Sequence, residues 1–112
     1  MESYIYGFIC AITLIVLDYA TGVIKAIVAK TLSSAIMRKG LVHKFVYLVV
    51  LFLAWFIELM SLHIDLGYTL PLFVPIVVGI SAIEITSILE NLCEINPELT
   101  DNRILNIFRK DN

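Results

Sequence analysis

Apolar residues gather in three long runs, at 4–24, 41–62 and 69–89, with polar residues crowded between them and after the last. About 20 mostly apolar residues in a helix cross the hydrocarbon core of a bilayer, so each run predicts a transmembrane helix. Each is interrupted by acid: Asp18 in the first, Glu58 in the second, which also contains Lys44, and Glu84 in the third. Charges at such depth cost a few kcal/mol on insertion scales unless they gain partners or water. Ser33 and Ser34 predict the cap of a short helix that leads through Gly40 into the second span. Pro71 is expected in the first turns of the third span, and Pro75 deeper, where it kinks the helix. After Pro97, Thr100 or Asp101 can cap a last helix with Ile104, Leu105, Ile107 and Phe108 at helical spacing, suited to the membrane surface.

The expected fold is an all-α membrane protein with three transmembrane helices plus a short amphipathic C-terminal helix. It forms one domain over 1–112, with a loop at 25–40 and a tail at 90–112. Composition strengthens this, since 60% hydrophobic residues and a mean hydropathy of +0.93 are far too apolar for a soluble fold of 112 residues. Residues 1–6 carry no Lys or Arg, unlike a secretory signal peptide, so the first apolar segment is expected to remain. Cys10 lies inside one apolar run and Cys93 just past another, a poor disulfide framework, and both read as free thiols.

The net charge of −2 conceals a strong asymmetry. The stretch 25–44 contains Lys25, Lys30, Arg38, Lys39, Lys44 and His43 with no acid, and Arg103, Arg109 and Lys110 follow in the tail. The N-terminus and the short second loop have no Lys or Arg. The positive-inside rule then places the N-terminus outside, the first loop inside, the second outside and the C-terminus inside.

Within the first span Gly7, Ala11, Asp18, Thr21, Gly22, Lys25 and Ala29 recur at steps of three, four and seven, drawing a small and polar stripe along one face. The third span repeats the pattern with Ser81, Glu84, Ser87 and Asn91. Gly7 and Ala11 serve helix packing, and Asp18, Thr21, Gly22, Lys25, Ser81, Glu84, Ser87 and Asn91 are the candidate pore or helix-interface residues. At about 1.5 Å per residue, Asp18 and Glu84 share a depth some 6 to 8 Å to the inner side of the midplane. Two readings stand: the acids pair with Lys25 or Lys44 and fix packing within one subunit, or three helices enclose them too poorly and self-association supplies the missing interior.

Enzymatic chemistry finds no support, because there is no Gly-rich phosphate loop, no Cys or His ligand set and no nucleophile paired with a histidine base. His43 and His63 fall on opposite sides of the membrane in this topology, each as a solvated or interfacial side chain. No catalytic residue, metal or cofactor is expected, nor a nucleic-acid partner.

The chain resembles the bacteriophage holin family that includes the toxin-secretion and phage-lysis holins of Gram-positive bacteria and their phages. The resemblance rests on the D-x-x-T-G segment of Asp18, Thr21 and Gly22 followed by Lys25 and Ala26, then Ser33 and Ser34. It continues with Gly40 and Leu41 ahead of Lys44, and the E-x-T-S-I-L-E-N run that starts at Glu84 and ends at Asn91. It implies a protein of the bacterial cytoplasmic membrane that forms homo-oligomers among the membrane lipids and opens holes. These depolarise the membrane and let an endolysin, or a toxin, out for host lysis, without necessary direct contact with that cargo. The family's tail is more strongly basic than this one, where Glu94, Glu98, Asp101 and Asp111 accompany three basic residues. The alternative is a small ion-conducting or accessory subunit of a larger membrane complex, in which the same carboxylates form a proton or cation path.

Overall fold

The computed structural model describes residues 2–98 and consists of three helices, α1 (Glu2–Val28), α2 (Ser34–His63) and α3 (Phe73–Ile95). At ~1.5 Å per residue they run about 40, 45 and 35 Å, enough to cross a ~30 Å hydrocarbon core with turns to spare at each end. All three are long and apolar enough to span a membrane, as expected. The proposed C-terminal helix lies outside the described residues.

The ends of the helices follow from local chemistry. α1 closes with Lys30 in the left-handed region at φ 59°, while Thr31 N–H donates to Ala26 O and Lys30 N–H to Ile27 O. That is the paired-bond ending usually built on glycine. α2 opens at Ser33, whose Oγ accepts from Ile36 N–H at 3.2 Å. The helix then runs unbroken through Gly40, so the short helix expected after Ser33 is the first turns of the second span itself.

The third span departs from expectation at its prolines. Pro71 precedes the helix, and Pro75 stands in the first turn, since α3 begins only at Phe73. A first-turn residue has no intrahelical acceptor for its N–H, so Pro75 removes no bond there and α3 continues without a break to Ile95.

The interior is narrow. Ala11 and Ile15 of α1, Leu51 of α2 and Phe73 and Ile80 of α3 form the buried core, flanked by Tyr4, Phe8, Tyr47 and Trp55. The Phe73 ring meets Tyr4 edge-on at 5.0 Å and Phe8 at 5.2 Å, and Phe8 reaches Trp55 at 6.0 Å. A Cβ on Gly7 would fall 2.3 Å from Phe73 Cε2, so only glycine lets α3 approach α1 this closely. Outside the core, large apolar side chains such as Val16, Phe45, Val74 and Val78 are exposed on every helix. In water such a surface would drive aggregation; in lipid it is the solvated surface.

Candidate functional site

Asp18 of α1 and Glu84 of α3 are both buried, 5% and 0% exposed, and both are met by one side chain from α2. Lys44 Nζ donates to Asp18 Oδ2 and to the Glu84 carboxylate at 2.9 and 3.1 Å. A long methylene stem lets a lysine near the end of a span carry its ammonium to groups at another depth. From α3, Asn91 Nδ2 donates to Asp18 Oδ1 and to Thr21 Oγ1, each at 3.0 Å, while the Thr21 hydroxyl donates to Leu17 O. The cluster thus joins all three helices at one level, and the shared depth inferred for Asp18 and Glu84 becomes a shared partner.

The other candidates are placed around it. Ser87, Gly22 and Lys25 line the same cavity as Asp18, Lys44 and Asn91. Gly22 has room, its virtual Cβ lying 3.7 Å from Asn91 Nδ2. Lys25 pairs with Glu94 at 3.2 Å on the exposed flank, and not with a buried acid. Ser81 sits one level away, its Oγ 3.6 Å from Cys10 Sγ. Gly7 and Ala11 are consumed by packing: Gly7 touches Phe73 and Val77, and Ala11 is fully buried. Cys10 and Cys93 are free thiols, as expected.

A second polar knot, not anticipated among the site residues, centres on Glu58 of α2. Its Oε2 accepts from Tyr4 O–H at 2.7 Å and its Oε1 from Phe73 N–H at 2.9 Å. Leu72, the residue before α3, offers no side-chain cap, so a carboxylate from a neighbouring helix takes that role at the positive end of the helix dipole. Ser61 adds a joint between α2 and the second loop, accepting from Leu70 N–H and donating to Glu58 O. The sequence signal was available, an acid inside an apolar span, but not the partner.

Of the two readings of the acids, one has them pair with Lys25 or Lys44 inside one subunit; in the single chain Lys44 pairs with both, and among the described residues no buried side-chain nitrogen or oxygen lacks a partner. The physical reason is that Lys44 serves two carboxylates at once and Glu58 serves two donors.

Chemically, the arrangement is an intramembrane ion-pair network of two carboxylates and one ammonium, flanked by an amide and hydroxyls, in a shell otherwise apolar. Neither a curated protein nor a solved structure matches the sequence. The profile of the Bacteriophage holin family does, and it does so over residues 2–109, taking in all three apolar helices and the whole network between them. On that match, this multi-pass membrane protein belongs to the bacteriophage holin family.

Proposed function

We propose that the chain works as a holin. It accumulates in the bacterial cytoplasmic membrane with its N-terminus outside and C-terminus inside, assembles with copies of itself, and opens holes that depolarise the membrane and release an endolysin, or a toxin. The placement of all eight Lys and Arg on one side supports the orientation.

The observation that carries the reading is that Lys44 of α2 neutralises acids on both α1 and α3. In the single chain the polar groups face one another and apolar side chains face lipid, which suits silent accumulation. Buried ion pairs gain little net free energy over their hydrated state, so a network of this kind exchanges protein partners for water at modest cost. When α2 leaves the α1 and α3 pair, the Asp18 and Glu84 carboxylates lose Lys44 and become available to line a wet lumen between subunits, with Thr21, Ser87 and Asn91 beside them. Gly22 and Lys25 border that lumen toward the α1–α2 connection. Ser81, Gly7 and Ala11 remain at the contact of α1 with α3.

Expression together with a cytoplasmic endolysin tests the proposal. Prompt lysis after a delay is the expected result. Depolarisation with the enzyme retained inside the cell would reject hole formation and leave a small ion channel or an accessory subunit.

A further inference from the structure

Two cavities adjoin along α1 and α2, the first reaching Ser87 and Asn91 of α3, and their chemistry changes along the helix axis. The first, about 390 Å³, lies toward the 29–33 connection and is lined by Asp18, Tyr19, Lys25, Thr31, Gly40 and Lys44, among others. The second, about 620 Å³, lies deeper and is walled by Val16, Ala20, Leu41, Phe45 and Leu48. Tyr19 and Lys44 line both. In the second the ammonium of Lys44 is turned away to Asp18 and Glu84, which leaves its methylene stem at the wall. Polar groups near a helix end and an apolar slot deeper in the span reproduce the profile of a membrane lipid.

Tyr19 marks the joint. Its ring lies over Gly40, where an added Cβ would be 3.4 Å from Tyr19 Cε1. Among the described residues its hydroxyl has no hydrogen-bond partner. A phenol that lines both cavities is a donor available to an occupant of the joint.

Charge selects the occupant. Asp18 is already covered, by Lys44 at one oxygen and Asn91 at the other. Lys30, Arg38 and Lys39 around the same end enter no ion pair among the described residues, and 25–57 contains no acid at all. Lys25 and Lys44, which line the cavities, are paired with Glu94 and with Asp18 and Glu84, so Lys30, Arg38 and Lys39 beside the lining at 31–40 are the cations left for a headgroup, and basic pockets between spans recognise anionic headgroups.

We infer that the two cavities form a binding site for one anionic glycerophospholipid. The phosphate sits near the Tyr19 hydroxyl at the end bordered by Lys30, Arg38 and Lys39, and one acyl chain lies along Val16, Ala20, Phe45 and Leu48. The site belongs to the single chain and does not depend on hole formation.

The test uses the full chain, equilibrated with vesicles of equal phosphatidylglycerol and phosphatidylcholine, extracted in mild detergent and washed, with retained lipid measured by mass spectrometry. Phosphatidylglycerol should be retained about fivefold or more over phosphatidylcholine, the size of one net polar contact. Ala20→Trp, which fills the slot, should remove that excess. Tyr19→Phe, which deletes one oxygen and no packing, should lower it about fivefold and decides the matter if Ala20→Trp fails to fold. Val78→Trp, on the exposed face of α3, should leave it unchanged. Equal retention of the two lipids, wild-type retention in Tyr19→Phe, or equal loss in Val78→Trp would overturn the site. So would an Ala20→Trp variant that loses crosslinked oligomers while keeping its lipid, which would make the slot a seat for a second copy.

Discussion

The carboxylate of Glu58 caps α3 from another helix: its Oε1 accepts the Phe73 N–H at 2.9 Å while Oε2 accepts from Tyr4. Removing it leaves a helix N-terminus and a phenol without their acceptor. Glu58→Ala should cost about 1 to 3 kcal/mol, and Glu58→Gln much less, because an amide oxygen still accepts from Phe73. Unfolding titrations in mixed micelles can rank the two; equal losses would mean that the cap contributes nothing.

Lys44 carries a larger share. Lys44→Met leaves two buried carboxylates with no cation, and breaking a buried pair from one side costs about 3 to 5 kcal/mol. The triple change Asp18→Asn, Glu84→Gln and Lys44→Met removes the charges together and should recover most of that loss. Protease resistance of the inserted protein measures both, and a triple variant as fragile as Lys44→Met would contradict the pairing.

Two glycines of the same stripe should behave differently. Gly7→Ala drives a methyl into the Phe73 ring and should destabilise by about 1 to 3 kcal/mol. Gly22→Ala has space and should change stability by no more than about 0.5 kcal/mol. Gly22→Leu adds bulk on a face that the single chain leaves open, and chemical crosslinking should then show a shorter ladder of oligomers. An unchanged ladder would take Gly22 off the subunit contact.

If the buried acids serve the hole, Asp18→Asn and Glu84→Gln should each alter lysis timing or abolish lysis at equal protein levels and normal insertion. Glu94→Gln should lyse as the unmodified chain does. Glu94 and Lys25 meet at an exposed flank, where such pairs contribute about 0 to 1 kcal/mol. Unchanged timing for both buried substitutions would leave those acids with packing alone.

Orientation is tested by a single cysteine at Ser33 in a Cys10→Ala, Cys93→Ala background. An impermeant thiol reagent should not label it in intact cells before hole formation. Early labelling would reverse the assigned topology.

The three spans were legible because length and hydropathy are local properties of the chain. Partners were not, since Lys44 lies 26 positions from Asp18 and 40 from Glu84, separations that no periodicity within one helix reports. Within one chain the stripe residues Gly7, Asp18 and Thr21 of α1 meet Phe73 and Asn91 of α3. Pro75 was misplaced because apolar residues 69–72 read as helix, whereas the helix starts only where Glu58 supplies an acceptor at Phe73. Of the two readings of the acids, pairing with Lys44 needs only one stem long enough to reach both carboxylates, and that is the geometry within the single chain.

The three-way junction at Lys44 also imposes an order on biogenesis. A ribosome delivers α1 first, so Asp18 enters the membrane region before its cation has been synthesised, and Lys44 arrives only with the second span. Glu84 and Asn91 come last, and both close back onto groups made long before them. Synthesis therefore passes through stages with one acid unmatched, then one ion pair, then the full network. A chain halted before α3 cannot reach the last stage, however well its first two spans insert.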